Sequence, residues 1–507
     1  MTLHSPVYGR RGLVVSGHPL ATLAGIEQIE AGGTVADAAI AAAAVLAVTL
    51  PQYCSIGGDA FAVIHDAAHG TVALNGSGRC PAGLAPATLA GEVPARGAAS
   101  AVVPTLVRAW AALHARFGRR PWPTLFARAI RLAADGFAAS HDLARAVAAH
   151  RAALDADPGC AALLDSRVTA GALFRQPALA RTLALIAERG ADAFYRGETA
   201  THLAAYAASQ GGALSVADLA AADVAWVPTL TTAYRALGVH VAPPNSYGLY
   251  LLLQLRQLER APISALGEAT IQRLRHLIRA AERAFATGAP WVADPAFVPA
   301  ARTPEVERIL AAPPGSNAPA AAAGGTAVVA VADGSGSGIS FIQSVYRPFG
   351  AMTLDSKTGI LLNNRLASCS LDPAHPNRLE PGRRPAHTLS PALAFEGGRL
   401  RYVLGSPGGP GQTLTLAQVI SNLVDRDLPL AEAVRAPRWS WDLANRIVIE
   451  ATFPTATAAE LGAAGIDVTT GAADMPYFGS AEVIALRADG TLESQADFRR
   501  EAAAIGV

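Results

Sequence analysis

Thr326 follows two glycines and opens a run of β-branched and small residues, Thr326-Ala-Val-Val-Ala-Val-Ala. A threonine hydroxyl is a weak nucleophile unless a base lies beside it, and an N-terminal threonine carries its own base in the α-amine. That amine titrates at about 7.7–8.0 in model compounds, so part of it is neutral near physiological pH. Thr326 is internal, so this chemistry requires a prior cut between Gly325 and Thr326. A small residue on the acyl side helps the hydroxyl reach the preceding carbonyl carbon. The same residues also read as an interdomain linker running into a strand. A second constellation is Gly408-Gly409, which follows an expected strand over 401–404 and precedes a helix starting near Gln412. Backbone N–H groups in such a loop can point at a developing oxyanion. The alternative is a plain glycine-rich strand-to-helix turn.

Other chemistries are excluded by pattern. No serine has glycines at both −2 and +2, so there is no nucleophile elbow. There is no H-E-x-x-H, and the glycine-rich Gly405-Ser-Pro-Gly-Gly-Pro-Gly411 lacks the Lys-Ser/Thr of a phosphate-binding loop. The histidines show no metal-ligand spacing; His141 and His150 read as solvated helix residues. No metal and no cofactor are expected. Cys54, Cys80, Cys160 and Cys369 form no C-x-x-C pair, which points to a reducing compartment.

The positioning elements follow from periodicity and punctuation. A helix is expected over 20–30, stopped by Gly32-Gly33, then a second capped by Thr34 with Asp37 and closed by Pro51. Strands are expected over 61–65 and 71–74, and mainly helices over 99–206 and 271–287. The stretch 310–325, LAAPPGSNAPAAAAGG, is short-side-chained and uncharged, the composition of a linker. After it, the turn Asp333-Gly-Ser-Gly-Ser-Gly338 marks a hairpin whose first strand begins at Thr326. With 51% hydrophobic and 16% charged residues the chain has a large core to bury, and 41 basic against 40 acidic residues offer no footprint for nucleic acid. The apolar run 38–50 is too short to span a membrane. No secretory signal is read at the N-terminus, so the expected location is cytoplasmic and no membrane partner is expected.

A set of ordered motifs then resembles the gamma-glutamyltranspeptidase family. They are Gly12-Leu-Val-Val-Ser-Gly-His-Pro-Leu-Ala, Ala31-Gly-Gly-Thr-Val-Ala-Asp-Ala-Ala, Ser55-Ile-Gly-Gly-Asp-Ala-Phe, Phe349-Gly, Gly359-Ile-Leu-Leu-Asn-Asn364, Arg384-Pro-Ala-His-Thr-Leu-Ser-Pro391, Gly405-Ser-Pro-Gly-Gly409 and Gly479-Ser. The resemblance implies an α+β fold, the four-layer αββα sandwich of N-terminal nucleophile hydrolases. It implies self-cleavage at Gly325–Thr326 into a heavy subunit, 1–325, mainly helical with sheet strands, and a light subunit, 326–507, carrying the nucleophile. By position it makes Thr326 the nucleophile, Ser344 the hydroxyl that assists its amine, and Gly408 and Gly409 the oxyanion hole. The partners implied are a small-molecule substrate and the two subunits of one precursor, with a homo-oligomer of such heterodimers left open.

The chain departs from true transpeptidases where those grip an α-amino acid. The carboxylate-binding arginine position falls at Ser77, with Arg79 two residues displaced. The acid that would hold the α-amine is Ser368, and a binding glutamine is Arg365. A binding asparagine becomes Tyr346, and the paired serines become His387 and Thr388. The pocket thus loses an anion and gains a cation, although Arg365 also reads as a structural arginine. The run from Asn364 to His375 is similar to the oxamate amidohydrolase and acylase-like branch. The leading expectation is an autoprocessed amidohydrolase acting on a small, oxamate-like anionic amide. The rivals are a gamma-glutamyltransferase or glutathione hydrolase, and an unprocessed homologue that binds a metabolite without chemistry.

Overall fold

The computed structural model describes residues 5–89, 91–266, 271–297, 309, 325–442 and 444–507. The linker expected over 310–325 therefore lies, except for Gly325, outside the described residues. Two seven-stranded antiparallel sheets organise the rest. The first runs β14–β2–β8–β9–β3–β4–β5, with β2 Gly12–Ser16, β3 Asp59–Asp66, β4 Gly70–Gly76, β5 Ala225–Val227, β8 Gly325–Asp333, β9 Gly338–Tyr346 and β14 Ala503–Gly506. The second runs β1–β13–β12–β11–β10–β7–β6, with β1 Val7–Gly9, β6 Leu230–Tyr234, β7 Leu237–Val241, β10 Ala392–Glu396, β11 Arg399–Gly405, β12 Glu482–Leu486 and β13 Leu492–Ser494.

Strand alternation sorts the side chains into layers. Val328, Ala330 and Ile342 of the first sheet meet Leu393, Val403 and Ile484 of the second in one apolar slab between the sheets. Their neighbours Val329, Val331 and Phe341 face the other way, onto helices α1 (Pro19–Glu30), α2 (Val35–Thr49) and α3 (Leu106–Phe117). On the far side Ala392, Leu404 and Val483 pack on α5 (Gly248–Glu259), α6 (Ile271–Gly288) and α7 (Gly411–Val424). Helix, sheet, sheet, helix is the αββα sandwich implied by the motifs.

Local signals account for the elements near the site. Thr34 and Asp37 form a reciprocal capping box at the start of α2, every residue of which is buried. That explains why the apolar run read there has no polar face. The expected hairpin forms as β8–β9, with Val331 opposite Ile339 and Thr326 opposite Ser344. His141 is exposed at the start of α4 (His141–Ala149), as expected. His150 is half-buried, with its ring edge-on to Phe349. Among the described residues no helix is long and apolar enough to cross a membrane.

Candidate active site

Thr326 is the second residue of β8, 2% exposed, and its Oγ1 has no hydrogen-bond partner among the described residues. A β-bulge lies beside it: Gly325 pairs with Tyr346 and Thr326 with Ser344, so Val345 is the extra residue. The bulge re-aims the end of β9, the use such irregularities commonly have beside active sites. Here it brings the Ser344 hydroxyl to the Gly325 carbonyl, to which it donates a short hydrogen bond. The same hydroxyl accepts from the Tyr346 N–H at 2.7 Å. Tyr346 sits at φ 80°, a strained conformation for a non-glycine residue that the bulge enforces. The carbonyl before Thr326 is thus polarised, and a hydroxyl with nothing to donate to stands next to it.

Gly408 and Gly409 occupy the turn between β11 and α7, as the sequence indicates. Gly408 has φ 116°, and a Cβ there would lie 3.2 Å from the Cα of Gly479. A side chain there would be strained by the positive φ and would press on the Gly479 backbone, which ties the Gly479-Ser motif to this turn. The turn stays close to Thr326, because a Cβ on Gly405 would sit 2.4 Å from the Val328 Cγ1 and Pro407 lines the same small cavity as Thr326.

The residues expected to bind substrate separate into two groups. Arg365, His387, Tyr346 and Ser368 come together, and Thr388 follows His387 in the chain. Arg365 is fully buried, and its Nε and Nη2 each lie 3.2 Å from one oxygen of Asp59. Its guanidinium lies over the Tyr346 ring, 4.5 Å from the centroid. His387 Nε2 is 2.7 Å from Asp59 Oδ2. Asp59 is opposite Ser344 in the β9–β3 ladder, so Thr326, Ser344 and Asp59 form one row across three strands. Ser368 donates to the Arg365 carbonyl at 2.8 Å. Nη1 of Arg365 and Oγ1 of Thr388 are buried without a partner among the described residues. Arg79, by contrast, lies half-exposed in a different cleft, paired with Asp223 at 3.1 Å and bonded to the Gly382 carbonyl. The salt bridge holds it there, apart from the Arg365–Asp59 cluster. Ser77 fills the position of the family arginine, its hydroxyl bonded to Asn75 at 2.6 Å.

Asp59 itself escaped the sequence reading, though it lies inside a quoted motif. Its signal is alternation: Phe61 and Val63 face the inter-sheet slab, so Asp59, two residues earlier on the same strand, must face it too. A buried acid demands a partner. Burial alone would raise its pKa, but Arg365 and His387 hold it below the ordinary carboxylate range. Burial, reinforced by the Arg365 charge, pushes His387 down to about 4 against the pull of Asp59. His387 is therefore neutral at pH 7 in the folded chain. The unfolded chain binds its proton near 6.5, so stability should be lost as pH falls from 6.5 to about 4, by on the order of 3 kcal/mol. Urea unfolding across that range checks this, and His387→Asn should flatten the slope. Asp59 adds its own loss only at lower pH, as it protonates.

The model of the gamma-glutamyltranspeptidase family matches residues 21–507. The chain belongs to the gamma-glutamyltranspeptidase family. It is accordingly an amide hydrolase of the N-terminal nucleophile type. It is 33% identical to a glutathione hydrolase-like proenzyme of Bacillus subtilis, with all of both chains covered. It is also 33% identical to the oxamate amidohydrolase proenzyme of Klebsiella pneumoniae, over 99% of this chain and 100% of that one. Among solved structures, cephalosporin acylase from Bacillus halodurans superposes with a TM-score of 0.92 at 30% identity, covering 100% of this chain and 98% of that one.

Proposed function

We propose that the protein is a self-cleaving amidohydrolase in which Thr326 cuts the Gly325–Thr326 peptide and then serves as N-terminal nucleophile on a small anionic amide of the oxamate kind. The observation that carries this is the Gly325 carbonyl held by Ser344 beside the unpartnered Thr326 hydroxyl. After the cut, the α-amine of Thr326 takes the hydroxyl proton. Oγ1 attacks the substrate carbonyl, and the amine delivers the proton to the departing nitrogen. Water then releases the acyl group by the same route. The N–H groups of the Gly408–Gly409 turn receive the oxyanion.

Charge in the pocket supports the anionic substrate. Asp59 takes two faces of the Arg365 guanidinium and leaves Nη1. That donor and the Thr388 hydroxyl, both without a partner among the described residues, are left free to bond carboxylate oxygens. A gamma-glutamyl substrate would also need an acid for its ammonium, and Asp59 is already engaged by Arg365 and His387. The relatives' names include oxamate, glutathione and acyl substrates, so the pocket chemistry carries the choice.

The test is a hydrolysis screen of oxamate, glutathione and glutaryl amides. Oxamate should be turned over and glutathione poorly. Arg365→Gln would take the guanidinium counter-charge from Asp59 and confound binding with folding. Thr388→Val is cleaner: it should raise KM for oxamate about two- to tenfold, the worth of one neutral hydrogen bond, at unchanged melting temperature. Efficient glutathione hydrolysis with no oxamate turnover would replace this substrate with a gamma-glutamyl one.

A further inference from the structure

We propose that Glu482 is the proton acceptor for the self-cleavage, acting on the Thr326 hydroxyl through one water held between them. This rests on the reading of Thr326 given above and supplies what that reading lacks. In the uncut chain Thr326 has no α-amine, so its own base does not yet exist.

The placement follows from strand alternation. Val328 and Ala330 of β8 face the inter-sheet slab, as does Ile484 of β12. Thr326 lies two residues before Val328, and Glu482 two before Ile484, so both point inward at the same end of the sandwich. They line one cavity of about 20 Å³, with Pro407 and Ser480 among its walls. A cavity of that size with several polar atoms on its wall has room for one water. Three buried oxygens around it lack partners among the described residues: Thr326 Oγ1, Glu482 Oε2 and Glu501 Oε2. Glu482 is 1% exposed, and its other oxygen accepts from Ser480 Oγ at 2.6 Å.

The surrounding charges suit a base rather than a fixed anion. Tyr53, Asp142, Arg500 and Glu501 also line the cavity. Asp142 is held ionised against its burial by Arg500, Tyr53 and Arg145, and Tyr53 is kept protonated by burial. Burial lifts Glu482 to about 8; Asp497 pushes the same way, while Ser480, Arg438 and Arg500 oppose it. A base near the working pH is the most effective kind.

The step balances as an N-to-O acyl shift. The Thr326 hydroxyl proton passes through the water to the Glu482 carboxylate as Oγ1 bonds to the Gly325 carbonyl carbon. The carbonyl oxygen takes the charge, held by the Ser344 hydroxyl. The carbon–nitrogen bond breaks, and the proton returns through the water to the Thr326 nitrogen. A second water hydrolyses the ester, giving the Gly325 carboxylate and a free Thr326.

The experiment follows cleavage of freshly translated full-length chain on gels from pH 6 to 9. The wild-type rate should rise about tenfold per pH unit and level off near 8. Glu482→Gln, nearly isosteric, should slow cleavage at pH 8 at least tenfold and lose that pH dependence while melting like wild type. Cleavage of Glu482→Gln at the wild-type rate and pH profile overturns the proposal and leaves the Thr326 reading standing. A wild-type chain that never cuts before Thr326 overturns both. If Glu482→Gln does not fold, Ser480→Ala decides. Loss of its hydrogen bond should move the levelling-off to higher pH, and an unmoved profile overturns the proposal.

Discussion

Thr326→Ala should run as one band of 51.9 kDa, where the wild type gives bands of about 33 and 19 kDa by length. It should also lose turnover of every substrate by at least about a thousandfold, the scale seen when an enzyme's nucleophile is removed. One hydroxyl is asked to serve both reactions, so both must fail together. The substitution should leave the fold intact, because among the described residues Oγ1 makes no hydrogen bond that its removal would break. Melting temperature and circular dichroism should match the wild type. Thr326→Ser keeps a hydroxyl at the same place and should retain part of both activities. N-terminal sequencing of the small wild-type band should read Thr-Ala-Val-Val. A Thr326→Ala chain that still hydrolyses amide would mean that another residue is the nucleophile, and one that still cleaves would place the cut elsewhere.

What the sequence made legible is what depends on neighbours. The cap of α2, the hairpin that starts at Thr326 and the glycine turn before α7 are each written in a few adjacent residues, and all three stand in the structure. The layers also followed, once the motifs had indicated the family. The site's electrostatics did not follow. Arg365 and Asp59 are 306 residues apart, and no local pattern says that β3 will lie beside β9. The same holds for Glu482 and Thr326, brought together only when two sheets pack. Arg79 drew attention by lying two residues from the family arginine position, and its partner, Asp223, is 144 residues away. A usable signal was nonetheless present. In β3 and β12 an acid occupies the inward register of an otherwise apolar strand, Asp59 before Phe61 and Val63, Glu482 before Ile484. Such a residue is either partnered by a cation or kept protonated. The two sites show the two outcomes, Asp59 pulled down by Arg365 and Glu482 lifted by burial.

Asp59→Ala should lower folding stability by about 3–5 kcal/mol, the effect of stripping one partner from a buried ion pair. Arg365 and Asp59 are both fully buried, and Asp59 accepts two of the guanidinium's donor groups. Without it Arg365 has the Tyr346 ring beneath it but no counter-charge, and His387 loses the carboxylate next to Nε2. The double variant Asp59→Ala/Arg365→Met removes both charges and keeps an apolar side chain over the ring. It should recover much of the loss, because the charges' desolvation penalty disappears with them. The two changes together should therefore be far less damaging than their sum, a coupling that urea unfolding reads directly. Activity separates from stability in this pair. The proposed self-cleavage uses Thr326, Ser344, Glu482 and the Gly325 carbonyl, so the double variant should still yield two bands. It has no Nη1 donor left for a carboxylate, so its KM for oxamate should rise about ten- to a hundredfold, the loss of a charge-assisted hydrogen bond. Equal instability of the single and double variants would mean that the arginine is tolerated unpaired. An unchanged KM in the double variant would remove Arg365 from the substrate pocket and leave it as the structural partner of Asp59.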